Sequence, residues 1–238
     1  MKNFSALLFV TLFISCGADW SYEGENAPQK WGEIKEEYKF CKIGYNQSPI
    51  DVDFKKKLTE EDKAKKPELK FSYSDSTLYL EGDKMLFDRK DFIELRKRQY
   101  FLNKITFHHP SEHYSNSVQQ VLEMQIFHKS DSEQIIILSV FVKIGKENSE
   151  INNLISLFES SNRSLETKIN FLKIINLKDE MFFYEGSLTT PPCTEGIKWF
   201  ISKTPIEMSK DQINKIIKLV LHEKSNARPL QEFHPELY

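Results

Sequence analysis

Hydrophobic positions in the middle of the chain recur every second residue, which is typical of strands rather than helices. Residues 71–82 alternate apolar and polar side chains, as expected of a strand with one face on a core. Residues 121–128 and 134–145 are also rich in strand formers. The second of these runs is nearly continuous in apolar residues, so both of its faces should be buried. The pattern predicts a mainly β domain.

Helical spacing is visible in only two segments, residues 149–160 and 209–223. Each places apolar residues three and four positions apart, and the second opens with Ser209 and Gln212 at capping-box spacing. We therefore expect short helices at the periphery of the sheet. The apolar stripes are Ile151, Leu154, Ile155 and Phe158 in the first segment and Ile213, Ile216, Ile217 and Val220 in the second.

The composition is that of one large globular domain. The chain has 238 residues, of which 39% are hydrophobic and 29% charged. Its 33 basic and 35 acidic residues give a formal charge of −2. This balance argues against nucleic acid as a partner, because such proteins carry a marked basic excess.

Residues 1–18 are typical of an export signal. Lys2 precedes an apolar run, residues 4–14, that is too short to cross a bilayer. Cys16 closes the run in a loose version of the bacterial lipoprotein signal, in which that cysteine is lipidated and anchors the protein to a membrane. Cleavage after Ala18 would instead remove Cys16. Either way, we expect residues 19–238 to form an extracytoplasmic domain, which is periplasmic, membrane-anchored or secreted.

The mature chain would keep two cysteines, Cys41 and Cys193. In an oxidising compartment such a pair forms a disulfide. Closing a loop of about 150 residues stabilises a fold by roughly 4–5 kcal/mol in the chain-entropy model.

Three histidines within six residues, His108, His109 and His113, suggest a metal site. Adjacent residues of a strand point to opposite faces, however, so His108 and His109 diverge. His113 lies beyond Pro110, which ends or bends a strand. The local cluster therefore does not build a metal site by itself.

A third ligand would come from the neighbouring strand of residues 121–128. If the functional face of that strand carries Glu123, it also carries Gln125. The neutral amide oxygen of a glutamine is a weak zinc ligand beside imidazole.

Five segments, taken in order along the chain, resemble the α-carbonic anhydrase family. The run of residues 184–200, YEGSLTTPPCTEGIKWF, is the most diagnostic of them. The resemblance implies a roughly ten-stranded, mostly antiparallel twisted sheet with a central zinc cleft, and it pairs Cys41 with Cys193. The other segments are ADWSYEGENAPQKWGEI at 18–34, FCKIGYNQSPIDV at 40–52, HPSEHYSN at 109–116 and NARPLQ at 226–231.

The resemblance also implies a mechanism in which three histidines hold zinc. Zinc lowers the pKa of its bound water to about 7, and the resulting hydroxide attacks CO2 to give bicarbonate. In this sequence Thr106 and Gln125 occupy the first and third ligand positions, and only His108 is retained. The remaining histidines of this region match positions that do not bind zinc: His109, His113 and His128.

Other positions of the family site are kept or changed one by one. Thr189 matches the residue that accepts the hydroxide's hydrogen bond, and Glu112 matches the carboxylate that orients it. Glu123 matches the residue that orients the third ligand, whereas Lys104 replaces a glutamine that orients the first. Phe127 stands where a smaller valine is usual in the CO2 pocket. The other pocket positions are Ile137, Leu188, Ile197 and Trp199.

Three interpretations of the function follow from these positions. The first is an exported family member with impaired or absent zinc-dependent CO2 hydration. The second is an active or weakly active enzyme for CO2 and bicarbonate, in which the Thr106 hydroxyl and the Gln125 oxygen complete a weak site around His108. The third is a metal-free binding module that uses the emptied cleft.

Overall fold

The structure is a computed structural model that describes most of the chain after the predicted signal. Residues 1–18, including Cys16, lie outside the described part. Among the described residues, no helix combines the length and the apolar character that crossing a bilayer requires. The described ranges are 19–55, 67–81, 84–159, 166–219, 221 and 224–234.

Strands dominate the described residues, as the periodicity predicts. The strands are β1 Asp51–Val52, β2 Leu69–Ser72, β3 Asp75–Glu81, β4 Lys84–Phe87, β5 Phe92–Leu95, β6 Arg98–His108, β7 Tyr114–Ser115, β8 Val118–Gln119, β9 Leu122–Lys129, β10 Ile135–Ile144, β11 Glu166–Asn170, β12 Met181–Ser187, β13 Glu195–Ser202 and β14 Ile206–Met208. The α-helices are α1 Trp31–Ile34, α2 Phe40–Ile43, α3 Ser149–Glu159 and α4 Lys210–Leu219. Short 3-10 helices cover Gly24–Asn26, Pro28–Lys30, Glu36–Tyr38 and Phe171–Lys173.

An eight-stranded central sheet organises the domain. Its strand order is β12-β13-β10-β9-β6-β5-β2, with β14 also paired to β10. Strand β10 pairs in parallel with β13 and β14, and the other pairs of this sheet are antiparallel. Two three-stranded sheets, β1-β7-β8 and β11-β3-β4, flank it. The mainly β, mostly antiparallel fold class is confirmed.

The single strand predicted for residues 71–82 is wrong. The chain divides into β2 and β3, which belong to different sheets. The buried Asp91 carboxylate accepts hydrogen bonds from the backbone and side chain of Ser74, and from the side chain of Ser76. The Ser74 N–H is thus bonded to a side chain rather than to a neighbouring strand, at the break between β2 and β3.

The central sheet has two distinct faces. Alternate residues of β9 and β10 pack with α3 and α4 in the larger apolar core, which is why β10 is buried on both sides as predicted. The opposite residues of the same strands include Glu123 and Gln125 and form what is here called the site face. The core residues from these elements include Met124, Ile126, Leu138, Val140, Ile151, Leu154, Ile213 and Ile216.

The predicted capping box is present at the start of α4. The backbone N–H of Gln212 donates to Ser209 Oγ at 3.2 Å, and the backbone N–H of Ser209 donates to Gln212 Oε1 at 3.1 Å. The Gln212 amide also donates to the carbonyl of Asn148 and to Asn152 Oδ1. The cap therefore joins the beginnings of α3 and α4 over the core.

The disulfide between Cys41 and Cys193 is confirmed, with the two Cα atoms 5.0 Å apart. It joins α2 to the loop between β12 and β13, which carries Thr189. The Arg228 guanidinium bonds the carbonyl of Cys41, and Gln47 donates to the carbonyl of Cys193. The covalent bond thus lies inside a polar network that fixes the same two segments.

Candidate functional site

The pairing of β6 with β9 sets the register of the site face. Thr106 lies directly opposite Gln125, and His108 lies opposite Glu123. Lys104 lies opposite Phe127 at one end of the same row, next to an irregularity in β6. The two strands thus bring together the side chains that sequence reasoning placed at the ligand positions and beside them.

His108 is held in one orientation by the C-terminal segment. Its Nδ1 lies 2.9 Å from the carbonyl oxygen of Asn226 and 3.3 Å from Glu112 Oε2. Both are acceptors, so Nδ1 carries the proton in the neutral ring. Nε2 is then an acceptor, and the Thr106 hydroxyl, 3.3 Å away, donates to it.

Gln125 is locked between two carboxylates. Its amide nitrogen donates to Glu112 Oε2 at 2.9 Å and to Glu123 Oε1 at 3.0 Å. An ionised carboxylate accepts hydrogen bonds and cannot donate them. Both carboxylates therefore face the nitrogen of the Gln125 amide. Gln125 Oε1 is turned away from them and is buried without a hydrogen-bond partner among the described residues.

Glu123 is the centre of the buried polar network below the site face. Its carboxylate accepts from the backbone N–H groups of Glu112 and His113, and from the His113 ring, the Ser139 hydroxyl and the Gln125 amide. Burial alone would raise the pKa of Glu123, but the facing His113 and the hydrogen bonds outweigh burial and hold that pKa at about 2. The carboxylate is therefore ionised at neutral pH, and both of its oxygens accept hydrogen bonds.

Glu112 and Thr189 are both buried, but no hydrogen bond joins them in the part of the chain that the structure describes. Glu112 Oε1 accepts from the backbone N–H of Arg228 at 3.1 Å, and Oε2 accepts from Gln125. The carboxylate that the resemblance assigns to orienting Thr189 is thus engaged with other donors. The catalytic role of the pair stays a prediction.

The residues predicted for the CO2 pocket gather in one apolar cluster. Phe127, Ile137 and Trp199 form a continuous row across β9, β10 and β13. Ile197 belongs to the same buried cluster, and Leu188 packs against it. Phe127 is 7% exposed, so its ring is part of the packed cluster rather than a loose side chain.

Lys104 brings a positive charge to the site face. Its ammonium lies over the Phe127 ring, 4.3 Å from the ring centre. The side chain keeps contact with solvent, but protein atoms around the ammonium displace water and lower its pKa. Among the described residues, no carboxylate forms an ion pair with it.

The three remaining histidines of this region bond away from Thr106 and Gln125. His109 lies past the end of β6, with its Nδ1 2.7 Å from the carbonyl of Val121. His113 Nε2 lies 2.7 Å from the Tyr184 hydroxyl, opposite the nitrogen that bonds Glu123. His128 is on the other face of β9. The assignment of all three to positions that do not bind zinc stays a prediction.

His128 should make the fold sensitive to mild acid. Burial lowers its pKa to about 3, and Tyr73 bonds its Nε2 at 2.5 Å. An unfolded histidine binds a proton near pH 6.5, so stability is complete above that pH and is lost as pH falls toward 3. We expect His128 to contribute a loss of about 1.4 kcal/mol per pH unit within that window.

Denaturant unfolding of wild type and His128→Gln at pH 7.5, 6, 5 and 4 measures this contribution. The variant can keep an acceptor for Tyr73 but cannot titrate, so its unfolding free energy should fall less steeply below pH 6.5. Parallel pH profiles for the two proteins would show that His128 is not the source of acid sensitivity.

Comparison with known proteins agrees with this geometry. A model of the eukaryotic-type carbonic anhydrase family matches residues 26–235, which is most of the described domain. The chain belongs to this family. The α-carbonic anhydrase resemblance that the sequence motifs indicate is thereby confirmed.

Relatives from bacteria and plants align with most of this chain. A carbonic anhydrase of Klebsiella pneumoniae is 30% identical in an alignment 243 positions long, which covers 95% of this chain and 91% of the relative. Carbonic anhydrase Nec1 of Nesocodon mauritianus is 32% identical in an alignment 230 positions long, which covers 90% of this chain and 81% of the relative. The α-carbonic anhydrase of Thermovibrio ammonificans, solved with the inhibitor sulfanilamide, superposes with a TM-score of 0.77 at 31% identity and covers 92% of this chain and 97% of that one.

The zinc site of an α-carbonic anhydrase does not fit the side chains present here. Among the described residues, no three histidine, cysteine, aspartate or glutamate side chains converge as metal ligands. The site face offers one imidazole, one hydroxyl and one amide oxygen, and the latter two are weak zinc donors. The Lys104 charge on the same face further disfavours a divalent cation.

Sequence reasoning missed two groups that shape this carbonic anhydrase site. The backbone carbonyl of Asn226 fixes the ring of His108, and the side chain of Asn226 bonds the backbone of Phe107 and His109. Ser139 supplies one of the hydrogen bonds to Glu123. A signal for Ser139 was present, since it is a polar residue inside the apolar run of β10.

Proposed function

We propose that this member of the carbonic anhydrase family lacks ordinary zinc-dependent CO2 hydration. The observation that carries the proposal is the amide of Gln125, which is locked between Glu112 and Glu123 at the third ligand position. Zinc would meet a neutral amide oxygen there instead of an imidazole. A neutral oxygen binds zinc weakly beside nitrogen ligands.

The surroundings of Gln125 favour the same proposal. In a working site, carboxylates orient histidine ligands and raise their basicity. Here Glu112 and Glu123 are occupied by an amide, which gains nothing as a metal ligand from them. Each carboxylate oxygen of Glu112 and Glu123 therefore has a hydrogen-bond donor without a metal, and Gln125 Oε1 is the atom of this network left without a partner among the described residues.

The apolar cluster adds an independent argument. Phe127 pairs with Lys104 on one side and Ile137 on the other. The family resemblance implies a smaller valine at this position. A larger ring in that row takes volume that CO2 would need. Even a chain loaded with metal should therefore bind CO2 poorly at this face.

An exported location is part of the proposal. Residues 1–18 supply the signal, residues 19–238 form the domain, and Cys16 is the candidate for lipidation. The Cys41–Cys193 disulfide supports this assignment, because structural disulfides persist in oxidising compartments.

Zinc content and CO2 hydration together test the proposed function. The mature, oxidised protein is purified without chelator, exposed to stoichiometric zinc and then desalted. We expect far less than one zinc ion per chain and hydration at the background rate, because only His108 offers an imidazole. The carbonic anhydrase of Klebsiella pneumoniae, prepared in parallel, is the positive control for both measurements.

The second candidate function is a weak zinc enzyme built on His108. The tautomer of His108 favours it, since Nε2 presents a lone pair on the site face. Near one zinc ion per chain, lost in His108→Ala and accompanied by hydration above background, would establish this candidate and overturn the first. Zinc that survives His108→Ala would lie outside the site face and would support neither function.

A further inference from the structure

The site face carries two polar groups that its own network leaves unused. Lys104 has a cation without a carboxylate partner among the described residues, and Gln125 has a buried acceptor oxygen without a donor. A buried acceptor that lacks a hydrogen bond destabilises the folded protein. A ligand that carries both a negative charge and a hydrogen-bond donor would satisfy both groups.

The strand register makes Lys104 and Gln125 neighbours on the site face. Lys104 pairs with Phe127 and Thr106 with Gln125, so Lys104 and Gln125 are diagonal neighbours on one face. Diagonal neighbours of an antiparallel pair lie about 7–8 Å apart, a distance that long side chains readily bridge. The residue between them, Thr106, is partly exposed and smaller than the histidine implied by the family resemblance.

Charge at this place favours an anion over a cation. The two nearby carboxylates, Glu112 and Glu123, point their oxygens at buried donors beneath the face, namely backbone N–H groups, the His113 ring and the Gln125 amide. The ammonium of Lys104 keeps contact with solvent at the rim and has no carboxylate partner among the described residues. The Phe127 ring beneath that ammonium supplies an apolar wall on one side.

We propose that Lys104 and Gln125 form a binding site for a small hydroxy carboxylate. The carboxylate lies on the Lys104 ammonium, and the hydroxyl donates to Gln125 Oε1. Thr106 turns its hydroxyl from His108 toward the bound carboxylate. This inference rests on the proposed absence of zinc, because a metal ion held at His108 would occupy the same space.

Glycolate and acetate are the probes, since they differ by the one hydroxyl that the site would recognise. Each is titrated into the full mature chain after chelator treatment, and binding is followed by amide chemical shifts. We expect saturable binding of glycolate, with acetate at least about tenfold weaker because it leaves the Gln125 oxygen unpaired. Equal affinities for the two anions would overturn the proposal.

Lys104→Met removes the charge and keeps the length of the stem. It should weaken glycolate binding at least about tenfold. Lys215→Met, on the distant helix α4, is the matched control and should bind glycolate like wild type. Glycolate binding that is unchanged in Lys104→Met would overturn the proposal, as would bicarbonate binding more tightly than glycolate.

Failure of this inference is distinguishable from failure of the proposed function. A chelator-treated sample that binds no glycolate overturns the hydroxy carboxylate site and leaves the zinc result untouched. A sample that holds one zinc ion per chain before chelation overturns the proposed function on its own measurement. Unchanged thermal unfolding of Lys104→Met confirms that a loss of binding is not a loss of fold.

Discussion

The double substitution Thr106→His with Gln125→His should raise the zinc affinity of this chain by more than about 100-fold and bring its content to about one ion per chain. The register places both new imidazoles on the site face, one two residues before His108 on β6 and one on β9, directly opposite position 106. His108 already has its ring fixed by Asn226, with Nε2 as the acceptor. Glu123 remains to orient the imidazole at position 125.

Zinc content by elemental analysis and affinity by competition with a chelator measure the gain. Thr106→Asn with Gln125→Asn is the matched control, since it perturbs the same positions without adding imidazole. A double-histidine variant that folds but gains no zinc would show that more than the ligands has changed. Lys104→Gln would then be added, because it removes the cation from the same face.

Removing the disulfide should have the largest effect on stability. Cys41→Ser with Cys193→Ser opens a loop with a sequence separation of 152 residues. The chain-entropy model gives a loss of about 4–5 kcal/mol in the free energy of unfolding. Such a loss is a large share of the stability of a typical domain, so the variant should unfold at much lower denaturant concentration.

Denaturant unfolding of the oxidised protein and the variant measures the loss directly. The oxidised protein exposed to reductant should shift toward the variant, whereas the variant should not respond to reductant. A difference below about 1 kcal/mol would mean that the unfolded chain is not restricted in the way the entropy model assumes. The polar contacts of Arg228 and Gln47 would then hold the two segments without the covalent bond.

Much of this fold and site could be predicted because strand periodicity fixes which side chains share a face. That rule alone placed Thr106 and His108 together and turned His109 and His128 away, and the structure agrees. The rule failed where a distant side chain intervened, as Asp91 does between β2 and β3.

Side-chain partners far apart in sequence were the other limit on prediction. Nothing local to Gln125 indicates that its amide bonds Glu112, or that a carbonyl 118 residues after His108 fixes that ring. Likewise, the sequence does not show that Lys104 lacks an ion pair among the described residues, because this depends on the position of each carboxylate in the folded chain. Such facts follow from tertiary packing rather than from spacing along the chain.

Asn226, whose carbonyl bonds His108, also determines when the site face can form during folding. Synthesis delivers the chain from its amino end, so β6 and β9 emerge well before Asn226. Until that residue arrives, the backbone groups of Phe107 and His109 lack their contacts from its side chain. Arg228, which bonds Glu112 and the carbonyl of Cys41, arrives two residues later. The site face is therefore completed last, after synthesis of nearly the whole domain, and a chain halted before Asn226 would leave this face without the contacts that fix its histidine.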